Sequence, residues 1–203
     1  MFYADLKKGV DSKRSLNIFY KESLVFKKEQ SENTNKTGGV MENIKTNWDK
    51  LRKDFIHCQK SSFGGVKIAT VDAKGNPNIT PIGSLFLLSD QKGFFCNRFP
   101  VNLNKNLETN NSVCIIALNS SKLFWLKSLV KGKFSTCPGL KLYGQVGEKR
   151  DISASEKLRW EKMVRPFRVF KGYDLLWKDM KFVSDISFDS FEYIKAGKMT
   201  KSG

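Results

Sequence analysis

A mainly β chain with helical insertions is what this sequence predicts: an α+β fold whose short strands curl into a small barrel. Three observations carry that expectation. Five or six short apolar runs follow one another with the spacing of half-buried strands. A polar hairpin turn, Asp72-Ala73-Lys74-Gly75, joins the first two of them. Helices with legible caps interrupt the series, and no internal repeat organises it.

The elements follow in order. Residues 1–40 show no sustained apolar period, and their polar end runs into Thr37-Gly38-Gly39, so they read as disordered or as a non-native N-terminal extension. Met41 is expected to be the natural start, because codons for Thr-Gly-Gly can carry a purine-rich ribosome-binding site; a single domain then spans 41–203. Ile44, Trp48, Leu51 and Phe55 are spaced four, three and four apart and share one face of a first helix. Val66 to Val71 is a strand, and Gly75 at positive φ closes its hairpin with Asn76 to Leu85. Pro81 inside that second strand argues for a sheet edge or a bulge. Gly93 to Arg98 is a third strand. Asn102 is expected to cap a short helix through Asn110, with Leu103 and Leu107 inward.

Val113 to Leu118 is the next strand, residues 122–132 a helix, and Leu140 to Glu148 a strand after the Pro138-Gly139 turn. Ser153-Ala154-Ser155-Glu156 is a capping box, and the helix that it opens must yield at Pro166. A further helical piece holds Tyr173, Leu176, Trp177 and Met180. The last strand, Phe182 to Ile194, keeps only an imperfect alternation.

Bulk properties exclude several classes. With 203 residues and 40% hydrophobic content the chain can build one real core. No apolar run approaches the roughly 18 residues that cross a bilayer, and no secretory signal is legible, so a cytoplasmic protein without membrane contact is expected. Thirty-six basic against twenty acidic residues give +16, a charge that attracts anions. It is spread out rather than gathered in a stripe with interleaved aromatics, so a nucleic-acid groove is not expected. Cys58, Cys96, Cys114 and Cys137 form no Cys-x-x-Cys pair, and His57 is the single histidine, so no metal site is expected. Cys96 and Cys114 sit in apolar strand patterns and read as buried thiols of a reducing compartment.

The catalytic inventory is poor. His57, near the end of the first helix, reads as a partner of the helix dipole rather than a general base. Asp151, Asp185 and Asp189 read as capping and solubility choices. There is no Gly-x-Ser-x-Gly elbow, Walker loop or Gly-x-Gly-x-x-Gly. Chemistry, if any, is expected from a bound cofactor.

Taken together, the hairpin, the Pro-x-Gly-Ser strand, the Asn-Arg-Phe-Pro turn, the Asn-Leu helix and the following β run resemble the pyridoxamine 5'-phosphate oxidase-like family, flavin-mononucleotide (FMN)-binding split barrels. The resemblance covers roughly Ile44 to Thr200, and its tail Tyr193 to Thr200 is similar to that of uncharacterised members. It implies an FMN-dependent oxidoreductase of unknown substrate, built as a homodimer with the cofactor at the subunit interface. It implies that the flavin ring lies along Thr80, Pro81, Ile82, Gly83 and Ser84. There Gly83 admits a close planar approach and the two hydroxyls reach its polar edge; the alternative is that Pro81 and Gly83 merely shape an edge strand. The phosphate is implied at Asn97, Arg98, Asn102 and Lys105, with Arg98 as a bidentate grip. The sequence departs from the family's pattern by lacking a Lys or Arg, and a Thr, near Asn102 and Leu103. The alternative that this motivates is a non-catalytic split barrel holding another anionic ligand, haem or a deazaflavin. Trp125, Trp160 and Trp177 are candidates for partner contacts, or plain core. The basic and histidine residues that true pyridoxamine phosphate oxidases carry near the C-terminus are not recognisable.

Overall fold

The computed structural model describes residues 44–62 and 64–200. The expectations for residues 1–40, and for Met41 as the start, lie outside the described residues.

Helix α1 (Ile44–Ser61) buries Ile44, Trp48, Leu51, Phe55 and Cys58, the face that its spacing predicts. It packs against three later strands: β5 (Ser112–Leu118), β6 (Gly139–Asp151) and β7 (Phe182–Tyr193). Trp48 donates its indole N–H to the carbonyl of Leu88 at 2.8 Å and stacks on Phe188. Tyr193 on β7 donates to the Asp54 carboxylate at 2.7 Å. A helix tied at Trp48 and Asp54 in this way closes one side of the core.

Strands β1 (Val66–Val71) and β2 (Pro77–Ile82) form the expected hairpin. The Asp72 carboxylate accepts from the amides of Lys74 and Asn76, which holds the turn, and Gly75 takes φ +86°. The second strand is shorter than expected. It ends at Ile82, bends at Gly83 and Ser84, and resumes as β3 (Leu85–Leu87), which pairs with β4 (Lys92–Cys96). Ser84 fixes the bend: its hydroxyl accepts from the Cys96 amide at 3.1 Å.

All pairings are antiparallel, in the order β2-β1-β5-β6-β7-β4-β3. The two edges, β2 and β3, are successive stretches of one chain, so the sheet must curl until they converge. The edges are not hydrogen-bonded to each other, and the barrel stays split along that seam. Pro81 lies on β2, an edge, where a missing N–H breaks no inner ladder.

The imperfect alternation of β7 has a cause. Tyr143 pairs with Ser190 but Gly144 pairs with Phe188, so Asp189 bulges out. Ile186 and Phe188 point into the core before the bulge, Phe191 and Tyr193 after it, and the inward parity changes from even to odd. A Cβ on Gly144 would run into the Ser187 backbone, so this crossing requires glycine.

Helix α2 (Val101–Leu107) departs from expectation at both ends. The chain enters it at Pro100 with no side-chain cap, and Asn102 is exposed within its first turn. It stops at Leu107 rather than Asn110, whose side chain instead accepts from the Ser112 amide and turns the chain into β5. Leu103 is buried as expected, with Leu107 partly so. Helix α3 (Lys122–Lys131) follows β5. Helix α4 (Ala154–Val164) carries both bonds of the predicted capping box. It yields at Val164 to a 3-10 turn over Arg165–Phe167, as Pro166 requires. Helix α5 (Gly172–Leu176) is shorter than expected; Trp177 and Met180 lie in the connection after it.

Two apolar clusters result. The larger fills the barrel between α1 and the sheet, with Phe55, Ile68, Phe95, Ile115, Leu142 and Ile186 fully enclosed. The smaller lies on the other face of β4, where Phe94 and Cys96 meet Trp160, Val164, Met180 and Val183. A strand buried on both faces reads as a continuous apolar run, and Gly93-Phe94-Phe95-Cys96 is one.

Candidate functional site

Beside the smaller cluster is a cleft of about 470 Å³, within the range of small-molecule sites. One wall is the bend from β2 to β3: Thr80, Pro81, Ile82, Gly83 and Ser84. The floor is the end of β4 and the turn after it, Cys96 and Arg98 to Pro100. The facing wall comes from α4 and the chain beyond it, including Trp160, Met163, Val164, Phe167, Trp177 and Met180. The Trp160 indole N–H, bonded to the Trp177 carbonyl at 3.1 Å, fixes that wall, and Phe167 packs on the Trp177 ring.

The wall is held to the barrel electrostatically as well. Arg150 on β6 reaches Glu156 in the first turn of α4 at 2.7 Å and Asp185 on β7 at 2.5 Å. The Arg150 guanidinium and the Ser153 cap hold the Glu156 carboxyl down to about 2.

Among the described residues, two ionisable side chains line the cleft. Burial pushes the Cys96 thiol up to about 12, the Ser84 hydroxyl opposing only weakly, so it is a neutral thiol and not a nucleophile. Arg98 is the one cation. Its guanidinium lies over the Phe99 ring at 5.0 Å, and its Nη1 atom is buried with no hydrogen-bond partner. A buried guanidinium N–H without an acceptor is costly, and an anion entering the cleft would supply the acceptor. With no general acid or base on its walls, the cleft can bind and desolvate a ligand, while reactivity must come with that ligand.

The structure thus brings Thr80 to Ser84 and Arg98 to one cleft and separates the remaining expected residues from it. Asn97 is buried behind the floor. Its amide donates to Asn104 on α2 at 2.7 Å and to Ser184 on β7 at 2.9 Å, a clamp between helix and sheet. Asn102 and Lys105 are exposed on α2 and do not line the cleft, because the chain enters that helix two residues earlier than expected. Ser84 is engaged with Cys96, which leaves Thr80 as the freer hydroxyl, although it accepts from Asn78 at 3.1 Å. No atom would lie within 4 Å of a Cβ built on Gly83, so the space beside the bend is open. Trp160 is core, not a surface contact; Trp177 is half-buried against the cleft; Trp125 is exposed on α3. The sequence reading missed Met163, Val164, Phe167 and Met180 as lining residues. A signal was present: Met163 and Val164 follow Trp160 by three and four, on one helical face.

The orphaned Arg98 nitrogen and the open bend suit a flat ligand that carries an anionic group. Among the described residues no cluster of His, Cys, Asp or Glu could hold a metal, and no helix is long and apolar enough to cross a membrane.

No protein-family model and no curated protein matches the chain. Solved structures do. An FMN-binding protein from Syntrophomonas wolfei subsp. wolfei aligns at 12% identity with a TM-score of 0.50, over 74% of this chain and 90% of that one. HupZ of Group A Streptococcus aligns at 19% identity, TM-score 0.48, over 71% and 94% of the two chains. A proposed pyridoxamine 5'-phosphate oxidase from Listeria innocua aligns at 14% identity, TM-score 0.46, over 73% and 98%. Identities this low speak to architecture alone, and the architecture agrees with the strand order above: the chain is a split β-barrel of the pyridoxamine 5'-phosphate oxidase-like fold.

Proposed function

We propose that the protein is an FMN-dependent oxidoreductase that binds its cofactor in the cleft between Thr80–Ser84 and Arg98. One observation carries this reading: Arg98, whose buried Nη1 has no hydrogen-bond partner, lines an apolar cleft of about 470 Å³. In this reading Arg98 neutralises the phosphate, and the exposed backbone at Gly83 receives the ring. Trp160, Met163, Val164 and Met180 exclude water, which strengthens the charge pairing. Bound flavin would supply the two-electron transfer that the walls cannot. Cys96, held as a thiol, moves no proton near neutral pH. A homodimer would set a second chain against the cleft mouth, and sedimentation equilibrium with and without FMN tests that part.

The test of the cofactor is titration of the full chain with FMN and with riboflavin, followed by flavin fluorescence. FMN should bind tighter by at least about tenfold, since a charged pair is lost with the phosphate. Arg98→Met should abolish that preference. A chain that takes up neither flavin refutes the proposal. A second reading, motivated by the missing Lys or Arg and Thr near Asn102 and Leu103, is a non-catalytic split barrel holding another anionic ligand, haem or a deazaflavin. Those two ligands belong in the same titration, read by their own absorbance and by thermal shift.

A further inference from the structure

Helix α3 is mounted with its apolar face outward. Phe124 and Ser128 face inward, with the partly exposed Trp125 at the margin of that face. Ser121 caps it, Ser128 bonds back to the Phe124 carbonyl at 2.8 Å, and the Trp125 indole donates to Asn119 at 2.7 Å. Phe134 packs on both Phe124 and Trp125, and Gly132 ends the helix in the left-handed region. The helix is therefore seated firmly, yet Leu123, Leu126, Leu129 and Val130 are 67%, 59%, 62% and 81% exposed. At 100° per residue these four fall within about one third of the helix circumference, opposite the seated face.

The charge around this face has one sign. Lys127 borders it on one side, Lys122 falls within its arc at the first turn, and Lys131 and Lys133 stand at its C-terminal end. All four are exposed, and none is ion-paired among the described residues. No Asp or Glu occurs from Asn119 to Gly147. We propose that α3 docks the protein on an anionic lipid surface. The leucines and Val130 enter the boundary between headgroups and acyl chains, and the lysines lie against lipid phosphates. At ten residues the helix is about 15 Å long, so it lies on a bilayer and does not span one. A second copy of the chain is the poorer occupant, because two such faces would press four lysines against four in a molecule already at +16. This reverses the expectation of no membrane contact. That expectation rested on the lack of an apolar run long enough to span a bilayer, which does not bear on a helix that lies on one. The proposal is independent of what fills the cleft.

The test is co-sedimentation of the full chain with phosphatidylcholine vesicles, with and without a quarter phosphatidylglycerol, across a salt series. Binding should be about tenfold or more stronger to the anionic vesicles and should weaken as salt rises. Fluorescence of the partly exposed Trp125 should shift to the blue on binding. Leu126→Asp combined with Val130→Asp should remove binding while leaving the melting temperature unchanged, since both side chains already face water. Equal partition to neutral and anionic vesicles overturns the proposal. So does binding that the double variant leaves intact, or a dimer that the double variant dissolves with no vesicle binding at all.

Discussion

The two faces of β4 are built from neighbouring residues and end in opposite states. Phe95 points into the barrel, where it is fully enclosed among α1, β1, β5, β6 and β7. Phe94 and Cys96 point the other way, into a cluster that also borders an open cleft with an unsatisfied cation at its floor. The barrel face is finished. The outer face is incomplete, with Phe99, Phe167 and Leu176 partly in water around the cleft. Close packing gives stability and incomplete packing gives a place to bind, and here one strand serves both.

The difference can be broken deliberately. Phe55→Ala, in the finished core, should cost about 3–5 kcal/mol in denaturant unfolding, because an enclosed aromatic leaves a void that its neighbours cannot fill. Trp160→Ala, in the incomplete cluster, should cost less, about 2–3 kcal/mol, since the cleft beside it lets the wall relax. Ligand binding should suffer more than stability there. A larger loss from Trp160 than from Phe55 would reverse the ranking of the two regions.

Arg150→Met should cost about 1–2 kcal/mol, the pair being partly screened by water. Its pH dependence has a definite sign. Glu156 titrates near 2 in the fold against an ordinary 4.5, so the stabilisation is full above about pH 5 and fades as pH falls toward 2. Melting temperatures of wild type and variant should therefore converge in acid and differ by a constant amount near neutrality. Arg98→Met should be within about 0.5 kcal/mol of wild type or slightly more stable, since it removes an unsatisfied donor, yet it should weaken FMN at least tenfold. Smallest of all, Lys105→Ala should change neither stability nor FMN affinity measurably, because Lys105 stands in solvent outside the cleft. An effect on FMN comparable to that of Arg98→Met would move the phosphate site back onto α2.

How much was legible depended on how far apart the interacting residues are along the chain. The Asp72–Gly75 turn, the Ser153–Glu156 cap, the buried face of α1 and the edge position of Pro81 were readable, because each is decided by neighbours within a few residues. Half of the cleft was readable for the same reason, as the stretch from Thr80 to Ser84 and Arg98 lie within nineteen residues of one another. Its facing wall begins at Trp160, and nothing local says that α4 folds back over β4 rather than elsewhere. Asn97 shows the limit from the other side. Beside Arg98 in sequence it looks like a phosphate ligand, but alternation along the chain turns its side chain inward to Ser184, eighty-seven residues away.

By itself the sequence determined a mainly β barrel with inserted helices, because period, turn and cap are short-range consequences of side-chain shape and backbone hydrogen bonding. Tertiary structure decided which apolar residues are core and which face water. The Asp189 bulge switches the inward parity of β7, Pro100 starts α2 early and strands Asn102 outside the cleft, and the seating of Phe124 and Trp125 turns Leu126 and Val130 outward. Each is set by contacts between distant segments, where one residue of shift or a third of a helical turn exchanges inside for outside.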